Sequence, residues 1–463
     1  MRTLLALVVA GTLVASSPVA AAADQVGADR LREALEAYLG RPGPADPSAV
    51  SVQPTGESYR VSIDPKLLLR PLAQFGIELS VSELSFLTAP QPDGTWRVSE
   101  WPTSLAMELK LLGETTAYRA EGIFSDGIYD PRLRLFTTYS QTNGSVTSNS
   151  NGPTGRSETR QGEQRVDSTA VAVDEGVADI RGRQTIADMA ADNELLFPDE
   201  ATGITSSTKV SYRVQSLEDE FRMDAVRSRM LADLWAFLVS HPTRARMAVD
   251  QSELKSLLAE FLPVFTRLED SGTARGITVD TDLGSFAVDR IGWTLGLNGI
   301  VADGSVLARL EVEGISRPDG LAPAWSSGLI PTEFGSELSV TGYDFAAPVR
   351  QLIRDFDLNK DVPIAPAVLQ GAFANVLPDE GLKVTLAPSR IATPLMNIDL
   401  SGEMNVIGPA ATGRVDIRAT GLVAAIEAVQ AAGPNDQQAA QVLAVLSSAQ
   451  ILGRPDPDGF TSW

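Results

Sequence analysis

The residues able to do chemistry are few, and their spacing argues against most reactions. His241 is the single histidine, and there is no cysteine. A Ser-His-Asp site needs its base beside a serine on a strained elbow, and no Gly-x-Ser-x-Gly occurs. Thiol nucleophiles are excluded, as is a catalytic zinc site built on two or three histidines. His241 lies between Ser240 and Pro242, where a helix is expected to end. There an imidazole can bond a terminal carbonyl or complement the helix dipole. Ser252-Glu-Leu-Lys255 places a lysine one helical turn from a serine that it could activate. The Ser-Asp-Asn and Lys-Thr-Gly partners of that arrangement are missing, so Ser252 reads as an N-cap and Lys255 as solvated. Asp280-Thr-Asp282-Leu-Gly284 and Asp456-Pro-Asp458-Gly459 invite a calcium reading. Both lack the full set of alternating oxygen ligands with a closing glutamate, and read as turns. The 59 acidic residues offer too many carboxylate pairs for a hydrolytic pair to be chosen by spacing. No glycine-rich phosphate loop occurs, and no catalytic, cofactor-binding or metal-binding residue is assigned.

The elements that would position such residues begin with a leader. Arg2 precedes an apolar run from Leu4 to Ala15, and Ser16-Ser17-Pro18 breaks that run before Val19 and four alanines. This is the order of a secretory signal peptide, with cleavage expected near Ala23. The run is too short to span a bilayer, which takes roughly 20 apolar residues. A periplasmic location is therefore expected, with no transmembrane segment in the mature chain. An exported chain without disulfides must be stabilised by its own core. At 463 residues, the chain is long enough for two or three domains of roughly 100–200 residues each. Its formal net charge of −21 repels phosphate backbones and anionic headgroups, so nucleic acid is not an expected partner.

Leu31, Leu35, Tyr38 and Leu39 share one face of a helix over 24–39, which RPGPADP at 41–47 should stop. Period-two alternation then prevails: SYRVSI at 58–63, LAMELKL at 105–111, and RLRLFTTY at 132–139. Residues 141–165 lose the pattern and read as a mobile loop or a pair of exposed strands. Residues 223–270 carry helical stripes through Leu234, Phe237 and Leu238, and through Leu254, Leu257 and Leu258. Two helices suit that block. Strands return at GITVDTD, SFAVDRI, WTLGLNGI, SVLARLEVEGI and SELSVTGY, and helices and strands alternate afterwards. The expected class is α+β, predominantly antiparallel curved sheet in meanders, with a central helical block and short helices packed on the sheet. The expected divisions are the signal peptide at 1–23, a helix and β-rich region at 24–220, a helical hairpin at 221–270, and a β-rich region at 271–463.

RVDIRATGLVAAIEAVQ, 414–430, passes from strand to helix at Gly421. Leu422, Ile426 and Val429 are expected to pack on the sheet that holds Val415 and Ile417. The ATG before that helix echoes Val340-Thr341-Gly342 before another, and the helix-then-hairpin order at 31–61 echoes that at 254–288. Generic amphipathic elements or two related halves would both produce such echoes. A final Trp463 suits an outer-membrane barrel, but the helical blocks do not. FTSW reads as a strand whose partner is missing, as if the natural end lay further on.

The signal peptide, the helix before GESYRVSI, the glycine-ended strands LARLEVEGI and ELSVTGYDF, the unit RVDIRATGLVAAIEAVQ and the final DPDGFTSW carry a resemblance. Together they resemble a family of exported proteobacterial proteins designated domain of unknown function 2125. More distantly, the architecture looks like envelope proteins of the AsmA-like type. The resemblance implies long curved sheets with an apolar face, associated with lipid movement or outer-membrane assembly, and implies no catalytic residues. A non-enzymatic periplasmic protein that binds a lipid or an envelope partner along a curved sheet is the leading expectation. A hydrolase with a carboxylate-based site and a purely structural scaffold stand as alternatives. The first requires apolar side chains left uncovered on a concave sheet face.

Overall fold

The computed structural model describes residues 23–39, 47–198, 205–318, 320–374, 376, 381–408, 410–432, 436–457 and 460–463. The leader at 1–22, the expected helix stop at 41–46, and Asp458-Gly459 lie outside the described residues.

The alternating stretches form strands β1 (Val50–Thr55), β2 (Ser58–Ile63), β3 (Glu78–Val81), β4 (Leu84–Pro90), β5 (Trp96–Ser99), β6 (Ser104–Leu111) and β7 (Glu114–Glu121). They continue as β8 (Phe124–Asp130), β9 (Leu135–Asn143), β10 (Ser145–Gly152), β11 (Gly155–Gln161), β12 (Gln164–Asp174), β13 (Val177–Pro198) and β14 (Thr205–Val226). After a helical interruption come β15 (Arg267–Thr281), β16 (Gly284–Asn298), β17 (Gly304–Glu313), β18 (Glu333–Tyr343), β19 (Leu382–Ala392), β20 (Asn397–Ile407) and β21 (Ala410–Thr420). The two-residue strands β22 (Arg454–Pro455) and β23 (Thr461–Ser462) finish the set. Among the described residues all 23 join one antiparallel sheet, which does not close. The class is α+β, mostly antiparallel sheet with several helices. From β13 to β21 each strand pairs with the next. The patternless 141–165 is the exposed-strand alternative: it contributes parts of β9 and β12 and all of β10 and β11.

Many short strands before β13 are halves of longer ones. β11 and β12 lie end to end along β13, against Ala190–Leu195 and Val177–Ile186 respectively. β10 and β9 lie against them in the same way, and so do β7 and β8 against β10 and β9. At the joints the buried positions change parity. The buried pairs Ala120 and Ser125, Asn143 and Val146, Gln161 and Gln164, Ile186 and Ala191, and Ala274 and Ile277 are all an odd number of residues apart. A regular strand keeps an even spacing on one face, so each of these strands slips by one residue where it crosses this line. Positive φ angles mark the line at Gly122 (65°), Asp188 (49°), Gly276 (61°) and Gly314 (68°). Gly276 also sits under the Gln215 side chain, where a Cβ would lie 2.5 Å from it, so both conformation and space call for glycine.

Helix α1 (Gln25–Leu39) turns Ala28, Leu31, Leu35 and Leu39 into a core with Val52, Val61, Ile63, Phe86, Trp96, Val98 and Tyr129. The single turn α2 (Pro65–Leu69) follows, capped by Asp64. The helical interruption holds three helices where two were expected: α3 (Ser228–Ser240), α4 (Arg244–Val249) and α5 (Gln251–Phe261). It is also shorter than 221–270, because Met223 and Asp224 pair with Leu268 and Arg267 as strand. α3 joins two cores. Val239 and Trp235 pack in the first, while Phe237 packs with Met247, Leu254 and Phe356 in a second. The later helices are α6 (Ala346–Asp355), α7 (Pro366–Ala374), α8 (Leu422–Gln430) and α9 (Gln437–Leu452).

α8 buries the expected stripe of Leu422, Ala425, Ile426 and Val429. Its packing partners differ from the expectation, being α9 and the short 3-10 helix Ala324–Leu329, while Val415 stays 59% exposed. FTSW is not partnerless either. Thr461 and Ser462 pair with Ala419 and Arg418 of β21 and with β22.

Candidate functional site

The residues with chemical potential fall into structural roles. His241 ends α3, its Nδ1 2.8 Å from the Phe237 carbonyl and its Nε2 3.0 Å from Asp250 Oδ2. Its ring stacks on Phe237, and no serine elbow adjoins it. Ser252 is the second residue of α5 and not its N-cap, which is Asp250. Lys255 turns away and donates to the Arg354 carbonyl at 2.7 Å. Asp280 lies in β15 opposite Ser285 and Asp282 lies in the two-residue β15–β16 turn, while Asp456 accepts from Arg418 and Ser462. Among the described residues no three metal-capable side chains converge, and no helix is long and apolar enough to cross a membrane.

The unusual feature is the sheet from β15 to β21. Cross-strand partners share a face, so the register sorts every side chain. One face carries Leu295 and Trp293 of β16, opposite Ala308 and Leu310 of β17. Ala308 and Val306 face Leu338 and Val340, which face Leu386 and Val384. Val384 faces Met404, and Gly402 faces Val415 at the far strand. This is an apolar surface across six strands, β16 to β21, roughly 24 Å at about 4.8 Å per strand. The opposite face carries charge: Arg290 reaches Glu311 at 3.3 Å and Glu313 at 2.8 Å, and Lys383 reaches Glu403 at 3.1 Å.

Among the described residues, much of the apolar side is left open to solvent. Leu295 (51%), Leu310 (42%), Val306, Leu338, Met404 and Val415 are all exposed. The helices pack chiefly on one another, on the 3-10 turns and on the N-terminal strands. Exposed apolar surface of this continuity on a folded chain marks an interaction site. Two concavities among the described residues, of about 400 and 450 Å³, lie on the charged face, lined by residues such as Arg290, Arg309 and Glu311, and Arg181, Arg183 and Glu269. The expectation put uncovered apolar side chains on a concave face; apolar side chains are exposed here, but these two concavities lie on the opposite, charged face.

No family model, curated protein or solved structure matches this chain. The site has to be read from its own geometry.

One polar spot interrupts the apolar side near its β14 end. Asp219 stands opposite Gly272, and Asp270 opposite Phe221 and Leu295. The Trp293 ring lies over Gly272, where a Cβ would come within 2.1 Å of it, and its Nε1 donates to Asp270 Oδ1 at 3.0 Å. Asp219 Oδ1 is buried without a hydrogen bond. Burial, with the Asp270 charge next and Glu220 after it, pushes the Asp219 carboxyl up to about 6 from its ordinary 3.8. Neither aspartate lines either of the two concavities above.

The sign of the consequence is fixed by which state holds the proton. Between about pH 4 and 6 the native carboxyl keeps a proton that the unfolded one has released. Stability from this group is therefore present at low pH and lost as pH rises through 6. After allowance for solvent screening the loss amounts to about 1–2 kcal/mol. Asp219→Asn should be more stable than the parent by about that much at pH 7.5, with the difference vanishing at pH 4. Urea unfolding of both proteins at the two pH values checks it, and a destabilised variant at pH 7.5 would refute the assignment.

Sequence reading found the strands that bear this surface but not the surface itself. The available signal was the alternation of Trp293, Leu295 and Leu297 in WTLGLN and of Val306, Ala308, Leu310 and Val312 in SVLARLEV, in consecutive strands with no helix between them.

Proposed function

We propose that the protein is a non-enzymatic binder of lipid, which it takes by the acyl chains on the open apolar face of β15–β21. One observation carries the reading: six large apolar side chains, on β16, β17, β18, β20 and β21, are exposed on a single face, and charged residues occupy the other side. Burying apolar area at roughly 25 cal/mol per Å² makes such a surface adhesive for hydrocarbon. The expectation of a secretory leader supports an encounter in the periplasm, and the resemblance read in the sequence to the domain of unknown function 2125 and AsmA-like proteins supports the same reading. The slipped strands and glycine joints supply the bending that a long sheet needs to lie along a chain of lipid.

Native mass spectrometry of the mature protein purified from the periplasm, followed by solvent extraction and lipid analysis, tests the reading. Phospholipid or fatty acid at near-stoichiometric amount is the expected result. A ligand-free mass, together with no uptake from offered phospholipid vesicles, would overturn it.

A further inference from the structure

Several hairpins of the sheet end in one row. Leu111 pairs with Glu114, Thr115 with Asn151, Gly152 with Gly155, and Gly155 with Leu195. The turns Leu112-Gly113 and Pro153-Thr154 therefore stand level with Leu195 near the end of β13. Leu195 lies opposite Thr208, and two residues along β14 Val210 pairs with Thr281, just before the turn Asp282-Leu283. That turn is within two residues of the same level. β13 and β14 reach about 10 Å beyond Leu195, at about 3.4 Å per residue, where Leu196, Phe197 and Pro198 pair with Ser207, Ser206 and Thr205. From the β6–β7 turn to the β15–β16 turn the row spans roughly 29 Å at about 4.8 Å per strand.

Apolar side chains stand out along this row. Leu112 is 91% exposed and Leu283 70%, and Leu111, Leu195 and Phe197 are exposed with them. Apolar residues scattered singly over a surface carry no message, but these share one end of one sheet. Leu112 also holds its backbone in the left-handed region, φ 53°, before Gly113 at 82°. A two-residue turn with both angles positive favours asparagine or aspartate before the glycine, and a leucine there is strained. Its side chain, out in solvent, gains almost no packing in return. Turns elsewhere in the sheet place Gly56-Glu57 and Glu175-Gly176 at the corresponding positions. At the β15–β16 turn, Leu283 N–H donates to Thr281 Oγ1 at 3.1 Å, which fixes the leucine's backbone while its side chain stays outside. Strain kept for the sake of an exposed leucine points to a contact outside the molecule. We propose that this end of the sheet docks on a zwitterionic phospholipid bilayer, with Leu112, Phe197 and Leu283 entering its interface.

Three observations choose a bilayer over a protein partner. The apolar residues sit on separate hairpins, with polar residues such as Thr154 and Ser206 between them. The core of a protein interface is contiguous apolar surface, whereas a hydrocarbon boundary accepts any spacing in its plane. The row also leads into the open apolar face, since Tyr212, Val279, Val288, Ile291 and Trp293 pack in one cluster between the β15–β16 turn and Leu295. Charge beside the turns is mixed, Lys110 and Lys209 with Glu114, Glu194 and Asp282, on a chain of net charge −21. Such a surface has no polybasic dock for anionic headgroups and is repelled by them, which leaves zwitterionic ones. The inference rests on the hairpin ends and on the openness of the apolar face, not on that face taking lipid.

Flotation of the mature chain with phosphatidylcholine vesicles is the test, with phosphatidylglycerol vesicles alongside. Binding to the first is expected, and weaker binding to the second at low salt. Leu112→Asn, Phe197→Ser and Leu283→Ser together should weaken docking about ten- to hundredfold, because each takes an apolar side chain out of the interface. Folding should not suffer, since asparagine suits the β6–β7 turn better than leucine, and urea unfolding checks that. Leu295→Gln with Leu310→Gln should lose co-purified lipid yet dock like the parent, which keeps failure of the acyl-binding reading distinct from failure of this one. A parent chain that ignores phosphatidylcholine vesicles, or binds only phosphatidylglycerol ones, would overturn the proposal. So would a folded triple variant that docks as the parent does.

Discussion

Replacing Leu295 and Leu310 together by glutamine should strip the protein of co-purified lipid and leave its unfolding midpoint almost unchanged. The two residues sit diagonally across β16 and β17 on the apolar face, Leu295 opposite Ala308 and Leu310 opposite Trp293. Each is about half exposed, so roughly half of the 1.5–3 kcal/mol of a fully buried leucine is still to be gained when a chain lands on it. Two glutamines forfeit that gain and add the desolvation of two amides. The sum is about 2–4 kcal/mol, or roughly 30- to 1,000-fold in affinity. Folding loses little, since changes at exposed positions usually stay within about 0.5 kcal/mol. Arg309→Gln is the control, because Arg309 lies between Ala308 and Leu310 in sequence but faces the charged side, beside Glu311. Lipid stoichiometry by native mass spectrometry, with urea unfolding alongside, decides the matter. Retention by the double variant, or equal loss from Arg309→Gln, would place the ligand elsewhere.

Much of the architecture is written in local pattern, and the rest is not for identifiable reasons. The helix at Gln25–Leu39 and strands such as β2 and β6 have one solvated and one apolar side, so their periods show in the sequence. Residues 141–165 hide their strands because their neighbours are polar on both faces, and pairing with β7 and β13 supplies what alternation does not. Met223–Val226 looked helical because Met223 continues the spacing of the α3 stripe, yet β15 claims it as a partner. The candidate site was less legible still. Alternation in SVLARLEV shows that one side is apolar, but an apolar side that is covered and one that is open have the same sequence. Only the placement of the helices separates them: α8 neighbours α9 and the 3-10 turn Ala324–Leu329, and Val415 of the adjoining strand stays exposed. The Asp219, Asp270 and Trp293 cluster joins residues from three strands, so no spacing within one stretch could reveal it.

Gly421→Ala should destabilise the fold by about 2–5 kcal/mol, far more than the same change at Gly56. Both glycines have positive φ, 80° and 63°, and for alanine that conformation costs about 1–2 kcal/mol. At Gly56 nothing lies within 4 Å of the added carbon. At Gly421 it would stand 1.9 Å from the carbonyl oxygen of Leu395. That backbone has little room to retreat, since Leu395 N–H is bonded to the Gly328 carbonyl at 3.1 Å and Met396 N–H to Thr393 Oγ1 at 2.9 Å. Forcing the two apart adds an overpacking cost of about 1–3 kcal/mol. The strain also acts where β21 turns into α8, so it pulls on the buried Leu422, Ala425 and Val429 together. Urea unfolding of the two variants against the parent measures the difference. Equal losses would mean that the Leu395 turn yields freely, and that the strand-to-helix junction needs glycine for its dihedral angles alone.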